Sequence, residues 1–421
     1  MFFEIDNIGK IKNAQIEMQG ITVLAGNNST GKSTFGKALY CIFNAFYESD
    51  SEIKKERKRN IEDIFIRYRR YPYLRLKQKH ILDVIVDMAS NAVTDLPKEI
   101  KIIIQDAIEQ NIIRLDEADD VLDELAKKIA SYTEISNEQY QKAILERYLA
   151  AEFDGQITHI NMPQQPGKIS LSFKNGQVHL TTEVDKNECV GYTDEVGIVN
   201  RAFYVDTPFV MDFTSQPGIR SLYGEYNHRH RISEHLISTG SRNISEDVIG
   251  KERLKSVLAS INLAVSGDFS PMESGGLRDF GFRENGLNFP LELTNVSAGM
   301  KVFLIIKRLL EKGEIKERDV LILDEPEIHL HPEWQIIFAE TLVLLQKEFE
   351  LTILLTTHSP YFLHAIEVYS EKQGISDRCR YYLTTTKDGY CCVQDTTKDT
   401  DCIYQILAKP FQTLDNTRYA E

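Results

Sequence analysis

The segment "GITVLAGNNSTGKSTFGKALY", residues 20 to 40, constrains what this chain can fold into more than any other. Gly26, four further residues, then Gly31, Lys32 and Ser33 is the spacing of a phosphate-binding loop. Its flanks agree: Ile21 to Ala25 is an apolar run that predicts a buried strand, and Phe35, Leu39, Ile42 and Phe46 recur at helical spacing. A strand that empties through a glycine-bearing loop into a helix aims backbone N–H groups, and the positive end of the helix, at phosphate oxygens. Lys32 then reaches the β and γ phosphates, and Ser33 can ligate Mg²⁺. The loop specifies a nucleoside triphosphate and leaves its use open.

A second constellation narrows that use. In "VLILDEPEIHLHPEWQ" the apolar strand Val320 to Leu323 delivers Asp324 to its C-terminal end, where open α/β sheets bind ligands and where a carboxylate can hold the Mg²⁺ shell. Glu325 follows directly, placed to polarise a water in line with the γ-phosphate. "LTNVSAGMKVFLIIKRLLEKG" sets Ser297, Ala298 and Gly299 at the start of an amphipathic helix, as a plain cap or as a hydroxyl and free N–H groups for an anion. "LTILLTTHSPYFLHAIE" predicts a buried strand that releases His358 and Ser359 into a loop closed by Pro360. His358 is there either an ordinary loop histidine or a γ-phosphate contact.

The order of these segments carries a resemblance. Phosphate loop, insert, Ser-Ala-Gly segment, Asp-Glu strand end and strand-borne histidine resembles the ATP-binding-cassette (ABC) ATPases, and among them the non-transport branch of SMC, RecF and OLD-family ATPases. "GNNSTGKS" is similar to Walker A, "NVSAGMK" to the signature, "LILDEPEIHLHP" to Walker B and "TTHSP" to the histidine switch, over residues 1 to about 48 and about 195 to 370. The resemblance implies an α/β fold, an ABC-ATPase head with a P-loop sheet, flanking helices and an antiparallel β subdomain, carrying a helical insert. It implies ATP and Mg²⁺ as cofactors. Gly26, Asn27, Asn28, Ser29, Thr30, Gly31, Lys32, Ser33 and Thr34 would cradle the phosphates, and Ser33 and Asp324 would hold the metal. Lys32, Glu325 as the water-activating base and His358 as the γ-phosphate sensor would form the catalytic set. Ser297 and Gly299 would complete the ATP site of a second copy, so the chain would act as a homodimer or higher homo-oligomer that ATP joins and hydrolysis releases. Two details depart from the family pattern: the signature reads Ser-Ala-Gly-Met-Lys and not Ser-Gly-Gly-Gln, and no glutamine follows "FYVD", which leaves Asp206 or Thr207 for the metal-sensing place.

Composition sets the remaining bounds. A chain of 421 residues, 42% hydrophobic and 27% charged, can bury a large core and is long enough for more than one domain. No apolar run approaches the roughly 20 residues of a membrane span. The start "MFFEIDNIGK" carries Glu4 and Asp6 where a signal peptide wants positive charge, and six cysteines lie scattered without CxxC units. A cytoplasmic protein with reduced thiols and no membrane partner is expected.

Texture along the chain divides it into an ATPase lobe with Walker A (1–48), a helical insert of long charged segments (49–152), a second ATPase lobe with signature, Walker B and switch histidine (153–380), and a C-terminal hairpin and tail (381–421). Asn175-Gly176 between alternating runs predicts a two-residue hairpin turn. "SEHLISTGSRNISEDVIGKERL" and "SGDFSPMESGGLRDFGFRENGLNF" read as connecting structure.

The formal net charge of −14 excludes a surface that is basic everywhere, though not a local basic patch. In "SEIKKERKRNIEDIFIRYRRYPYLRLKQKH", Arg67, Arg69 and Arg70 stand among Tyr68, Tyr71 and Tyr73. They suit nucleic-acid contact, or else a solvated helix pair braced against the acidic "LDEADDVLDELA". Asp395, Asp399 and Asp401 read as a solvated acidic turn. OLD nucleases carry a Toprim domain after the ATPase, and fewer than seventy residues follow His358 here, so no nuclease domain is expected. The leading expectation is an ATPase resembling the ATP-binding subunits of bacterial anti-phage systems of the Septu or PARIS kind, which regulates a separately encoded nuclease or toxin effector. A RecF-like DNA-repair ATPase and a nucleotide-dependent scaffold with little turnover are the alternatives.

Overall fold

The computed structural model describes residues 1–67, 83–86, 96–110, 119–173, 176–215, 224–237, 244–272 and 280–419. They divide into two compact units, Met1–Tyr47 with Leu145–Glu421, and Glu48–Ile144. The strands are β1 (Phe2–Ile8), β2 (Ile11–Glu17), β3 (Ile21–Gly26), β4 (Gly167–Phe173), β5 (Val178–Asp185), β6 (Glu188–Asp194), β7 (Ala202–Val205), β8 (Gly267–Pro271), β9 (Phe280–Glu284), β10 (Val320–Asp324), β11 (Thr352–Thr357), β12 (Cys379–Lys387) and β13 (Tyr390–Asp395). The helices are α1 (Lys32–Phe46), α2 (Ser49–Arg67), α3 (Leu96–Glu109), α4 (Asp119–Thr133), α5 (Asn137–Phe153), α6 (His228–Ile237), α7 (Ile244–Ala264), α8 (Ala298–Glu311), α9 (Pro332–Phe349), α10 (Pro360–Lys372) and α11 (Asp401–Tyr419).

The larger unit is an α/β fold on one mixed sheet of eleven strands in the order β6-β5-β4-β1-β2-β13-β12-β3-β11-β10-β7. From β12 to β7 every pair is parallel, and β6, β5, β4, β1 and β2 pair antiparallel in turn. The antiparallel strands expected as a subdomain are thus continuous with the P-loop strands. All six residues of β3 are buried, as a parallel strand covered on both faces requires. The same holds for Val320 to Leu323 of β10. α1 presses on the sheet through Phe35, Leu39, Ile42 and Phe46, each at most 4% exposed. Gly36 permits the approach, since a Cβ there would lie 3.0 Å from Ile322 of β10 and 3.3 Å from the Tyr204 ring of β7. On the core around α8 and α9, Phe303 meets Trp334 and Phe338 edge-on, with centroids 5.9 and 5.1 Å apart.

Three findings depart from the sequence expectation. Residues 381–421 are not set apart: β12 begins at Cys379, pairs with β3 and lies with β13 inside the main sheet, between β2 and β3. The polar stretch read as connecting structure contributes the second half of α6 and the first half of α7, and each helix buries apolar residues in the core: Ile232 and Leu236 of α6, and Leu254, Val257 and Ile261 of α7. The glycine-rich segment contributes the hairpin β8–β9, whose Phe269 packs edge-on against Phe280 and Phe282. β4 and β5 pair from Gly167↔Val184 to Phe173↔Val178, and Asn175 of the expected turn lies outside the described residues.

The smaller unit has its own core, from Ile61, Ile64 and Phe65 of α2, Ile100 and Ile104 of α3, and Leu122, Leu125 and Ile129 of α4. Arg57 is buried within it, donating to the Ile135 carbonyl (2.8 Å) and to Asn137 (2.9 Å). Lys55 pairs with Glu52, Arg59 with Glu56 and Lys58 with Asp83. Lys55, Arg57, Lys58 and Arg59 of α2 are therefore engaged by neighbouring acids, an amide and a carbonyl. Arg69, Arg70 and the three tyrosines lie outside the described residues, as does the Arg67 side chain. Among the described residues no helix is long and apolar enough to cross a membrane, and all six cysteines are free thiols.

Candidate nucleotide site

The C-terminal ends of four neighbouring parallel strands share one edge of the sheet, the position where such sheets bind ligands. β3 opens there into the phosphate loop, β11 into His358, β10 into Asp324 and Glu325, and β7 into Asp206. Gly26 has φ 150° and lies so close to β12 that a Cβ would come 2.1 Å from the Thr384 carbonyl oxygen, two independent reasons for glycine, and Gly31 takes φ 91° as the N-cap of α1. Thr30 is buried, with its hydroxyl 3.0 Å from the Asn27 carbonyl and 2.8 Å from the Thr384 hydroxyl. The loop is thereby held from within and from the C-terminal hairpin.

A cavity of about 300 Å³ opens on this loop, lined by Ser29, Thr30, Gly31, Lys32, Ser33, Thr34 and Glu325. That size is at the lower end of the range of small-ligand pockets. Its other walls are Gly9, Lys10, Lys37, Phe153, Gln156 and Ile160, none of which the motifs announce. Asn27 and Asn28 are exposed and do not line it.

Lys32 is 4% exposed. Its ammonium donates to the carbonyls of Gly26 (3.3 Å) and Asn27 (2.9 Å), and lies 3.5 Å from Glu325 Oε1 and 3.1 Å from His358 Nε2. Burial lowers its pKa, against the pull of Glu325. His358 Nε2 also contacts Glu325 Oε1; the carboxylate only accepts, so Nε2 is the donor in that bond, and its 3.1 Å approach to the Lys32 ammonium is a contact between two donors and not a second hydrogen bond. That hydrogen bond, with the charge of Lys32, holds the Glu325 carboxyl below its ordinary range. Glu325 itself sits at φ 50°, ψ 49°, a left-handed conformation fixed by its N–H donating to Thr356 Oγ1 (3.0 Å).

Two further residues shape the site. Glu327 is 4% exposed and accepts from the Thr357 hydroxyl (2.6 Å) and the His358 N–H (2.8 Å), so it fixes the turn that carries His358; burial raises its pKa. Sequence reading passed over it, although its place two residues after Glu325 was the available signal. Asp324 accepts from the Thr356 hydroxyl at Oδ1 and from the Tyr204 hydroxyl at Oδ2 (3.2 Å). One donor per oxygen leaves each with a free lone-pair direction, as a carboxylate ligand of a hard cation such as Mg²⁺ needs; Asp324 does not itself line the phosphate-loop cavity, which Ser33 does.

Asp206, considered for the metal-sensing place, is already engaged. Arg229 donates to both of its oxygens, and His228 Nε2 lies 3.0 Å from Oδ1, though at an angle that misses hydrogen-bond geometry. Burial alone would raise Asp206, but His228 and Arg229 outweigh it and take the carboxyl well below the usual range. Ser297 is exposed and caps α8, accepting from the Met300 N–H at 3.4 Å; Gly299 is buried against the His329 carbonyl. Neither lines the phosphate-loop cavity of its own chain.

A phosphate loop at the carboxyl edge of a mixed α/β sheet, facing an Asp-Glu strand end, is the site of a P-loop nucleotide-binding protein. The chain belongs to the AAA ATPase domain family, whose sequence profile matches residues 1–363. Protein ea59 of Escherichia phage lambda is 26% identical over 147 residues, covering 30% of this chain and 28% of the length of that relative. Among solved structures, the SMC head bound to the C-winged helix domain of ScpA aligns at 10% identity, covering 94% of this chain and 97% of that one, with a TM-score of 0.45. The SMC head domain from Thermotoga maritima aligns at 11% identity over 94% and 97%, with a TM-score of 0.38. The Pyrococcus furiosus Smc head with an extended coiled coil, bound to the C-terminal domain of ScpA, aligns at 9% identity over 96% and 98%, with a TM-score of 0.43.

Proposed function

We propose that this chain binds and hydrolyses ATP at the convergence of Lys32, Glu325 and His358, and that two copies close on the nucleotide. The observation that carries the reading is that these three side chains, from the phosphate loop, the end of β10 and the end of β11, meet within 3.5 Å of one another, and that Lys32 and Glu325 line the cavity. The backbone from Gly26 to Gly31, with Asn27, Asn28, Ser29 and Thr30 between, would wrap the phosphates and Thr34 would extend the cradle. Lys32 leaves its two carbonyl partners for the β and γ oxygens. The γ-phosphate competes for the Nε2 proton of His358, and Glu325, kept ionised by its partners, is released towards a water in line with that phosphate. Ser33 and Asp324 would hold Mg²⁺, which supplies charge neutralisation on the phosphate oxygens when bound. Phe153 and Ile160 add to the lining an apolar surface suited to a base.

Ser297 and Gly299 do not line their own cavity, so their anion-binding role would be played on the ATP of a second copy. Regulation of a separately encoded nuclease or toxin effector, in the manner of anti-phage ATPase subunits, follows from the motif resemblance alone. Copurification of an effector with the nucleotide-bound chain tests it. The core reading is tested by titrating a fluorescent ATP analogue into the wild type and Lys32→Ala. Binding should be weakened at least tenfold in the variant, and equal affinity would remove Lys32 from the phosphate site.

A further inference from the structure

Next to Tyr204, the partner of Asp324, lies a largely buried polar cluster of which the sequence reading singled out only Asp206. His228, 3% exposed, is the first residue of α6. Its Nδ1 lies 2.7 Å from Glu152 Oε2, its backbone N–H donates to Glu152 Oε1 at 2.6 Å, and its Nε2 faces Asp206 at 3.0 Å. Glu152 is 2% exposed, and Arg229 closes the cluster with its fork on Asp206. Two carboxylates, an imidazolium and a guanidinium balance in charge, yet for the two buried members, His228 and Glu152, desolvation costs several kcal/mol per ion by general estimate, which a packed apolar cluster would avoid. A cluster of this kind is weak as a source of stability, and its geometry shows what else it does.

The His228 imidazole lies flat on the Tyr204 ring, with centroids 4.2 Å apart and planes inclined by 28°. Tyr40 meets His228 edge-on at 5.9 Å and Tyr204 at 6.2 Å. On the α1 side, Gly36 brings the helix backbone against the same Tyr204 ring. Tyr204 is 1% exposed, and its hydroxyl donates to Asp324 Oδ2. Burial raises that phenol well above its ordinary pKa, so it stays a neutral donor. Asp324 is thus gripped from both neighbouring strands: by Thr356 of β11, its register partner, and by Tyr204 of β7.

We propose that Tyr204 is a positioning residue for Asp324 towards a nucleotide-bound divalent cation, and that the Glu152–His228–Asp206 cluster holds the Tyr204 ring in register for that task. This rests on the assignment of Asp324 as a metal ligand. Hydrogen-bond partners of metal ligands typically contribute 10- to 100-fold to metal affinity.

The test uses Mn²⁺ as the probe and electron paramagnetic resonance as the readout, on the full chain with ATP. Asp324→Ala should abolish ordered Mn²⁺; if it matches wild type, the assignment of Asp324 fails and the inference falls with it. Given that assignment, Tyr204→Phe, which keeps the ring and removes only the hydroxyl, should weaken Mn²⁺ about tenfold while ATP affinity in EDTA stays within twofold. His228→Gln should give the same pattern, and Arg318→Ala, on an exposed pair with Glu350, should give none. Mn²⁺ affinity within twofold of wild type in Tyr204→Phe, or an equal loss of metal-free ATP binding, overturns the proposal whatever His228→Gln does.

Discussion

At the residue scale, the most consequential side chain outside the motifs is His228. Burial alone would push its pKa down, but Glu152 and Asp206 outweigh burial and hold it at about 9, against 6.5 for a free imidazole. A folded-state pKa above the unfolded one gives stability that is complete below about pH 6.5 and is lost as pH rises through about 9. The gap corresponds to about 3 kcal/mol by the general conversion. Denaturant unfolding at pH 6.5 and pH 10 should therefore show wild type losing about 3 kcal/mol more than His228→Gln, in which this proton is absent. Parallel losses in the two proteins would mean that the buried cluster does not bind the extra proton. Glu327 illustrates the opposite balance: its single-sided hydrogen bonding to Thr357 and the His358 N–H does not offset burial, and its pKa is raised.

At the element scale, what the sequence made legible was local, and what it hid was pairing between distant segments. The P-loop and the Asp324-Glu325 strand end are readable because each is a contiguous run whose spacing a backbone geometry dictates. Nothing in "RYYLTTTKDGYCCVQDTT" announces that its strands insert between β2 and β3, because strand order is decided by packing across hundreds of residues. The same holds for Gly36 and for Tyr204, whose partners are more than a hundred residues away. α6 and α7 were obscured by polar residues on their outer faces, although Ile232 with Leu236 and Leu254, Val257 with Ile261 keep a helical interval. The hairpin β12–β13 has a functional corollary. Thr384 is buried, donates to the Ala25 carbonyl at 3.2 Å and lies 2.8 Å from the Thr30 hydroxyl, so it fixes the mouth of the phosphate loop. Thr384→Val keeps the shape and removes those bonds, which are worth about 1–2 kcal/mol by general estimate. ATP affinity measured by titration should drop about tenfold, with the melting temperature lowered by only a few degrees, and an unaltered affinity would show that the hairpin does not support the loop.

At the scale of the whole molecule, the residues proposed to grip the phosphates gather at one sheet edge, while Ser297 and Gly299 at the start of α8 do not line that cavity. The proposed ATP-dependent dimer would make use of that division. Sedimentation velocity in ATP and Mg²⁺ should show a dimer for a hydrolysis-deficient chain and a monomer once Ser297→Arg is added, with nucleotide binding to the monomer retained. A dimer that survives Ser297→Arg would place the interface elsewhere.

The central claim, that Glu325 works as the base beside Lys32 and His358, is tested most directly by Glu325→Gln assayed for ATP binding and single-turnover hydrolysis in the same preparation. The amide keeps the shape and loses the charge, so ATP should still bind with near wild-type affinity while hydrolysis slows by two or more orders of magnitude, in line with the usual worth of a general base. Turnover close to that of wild type would show that the water is activated by some other group and that the convergence of these three residues serves another end.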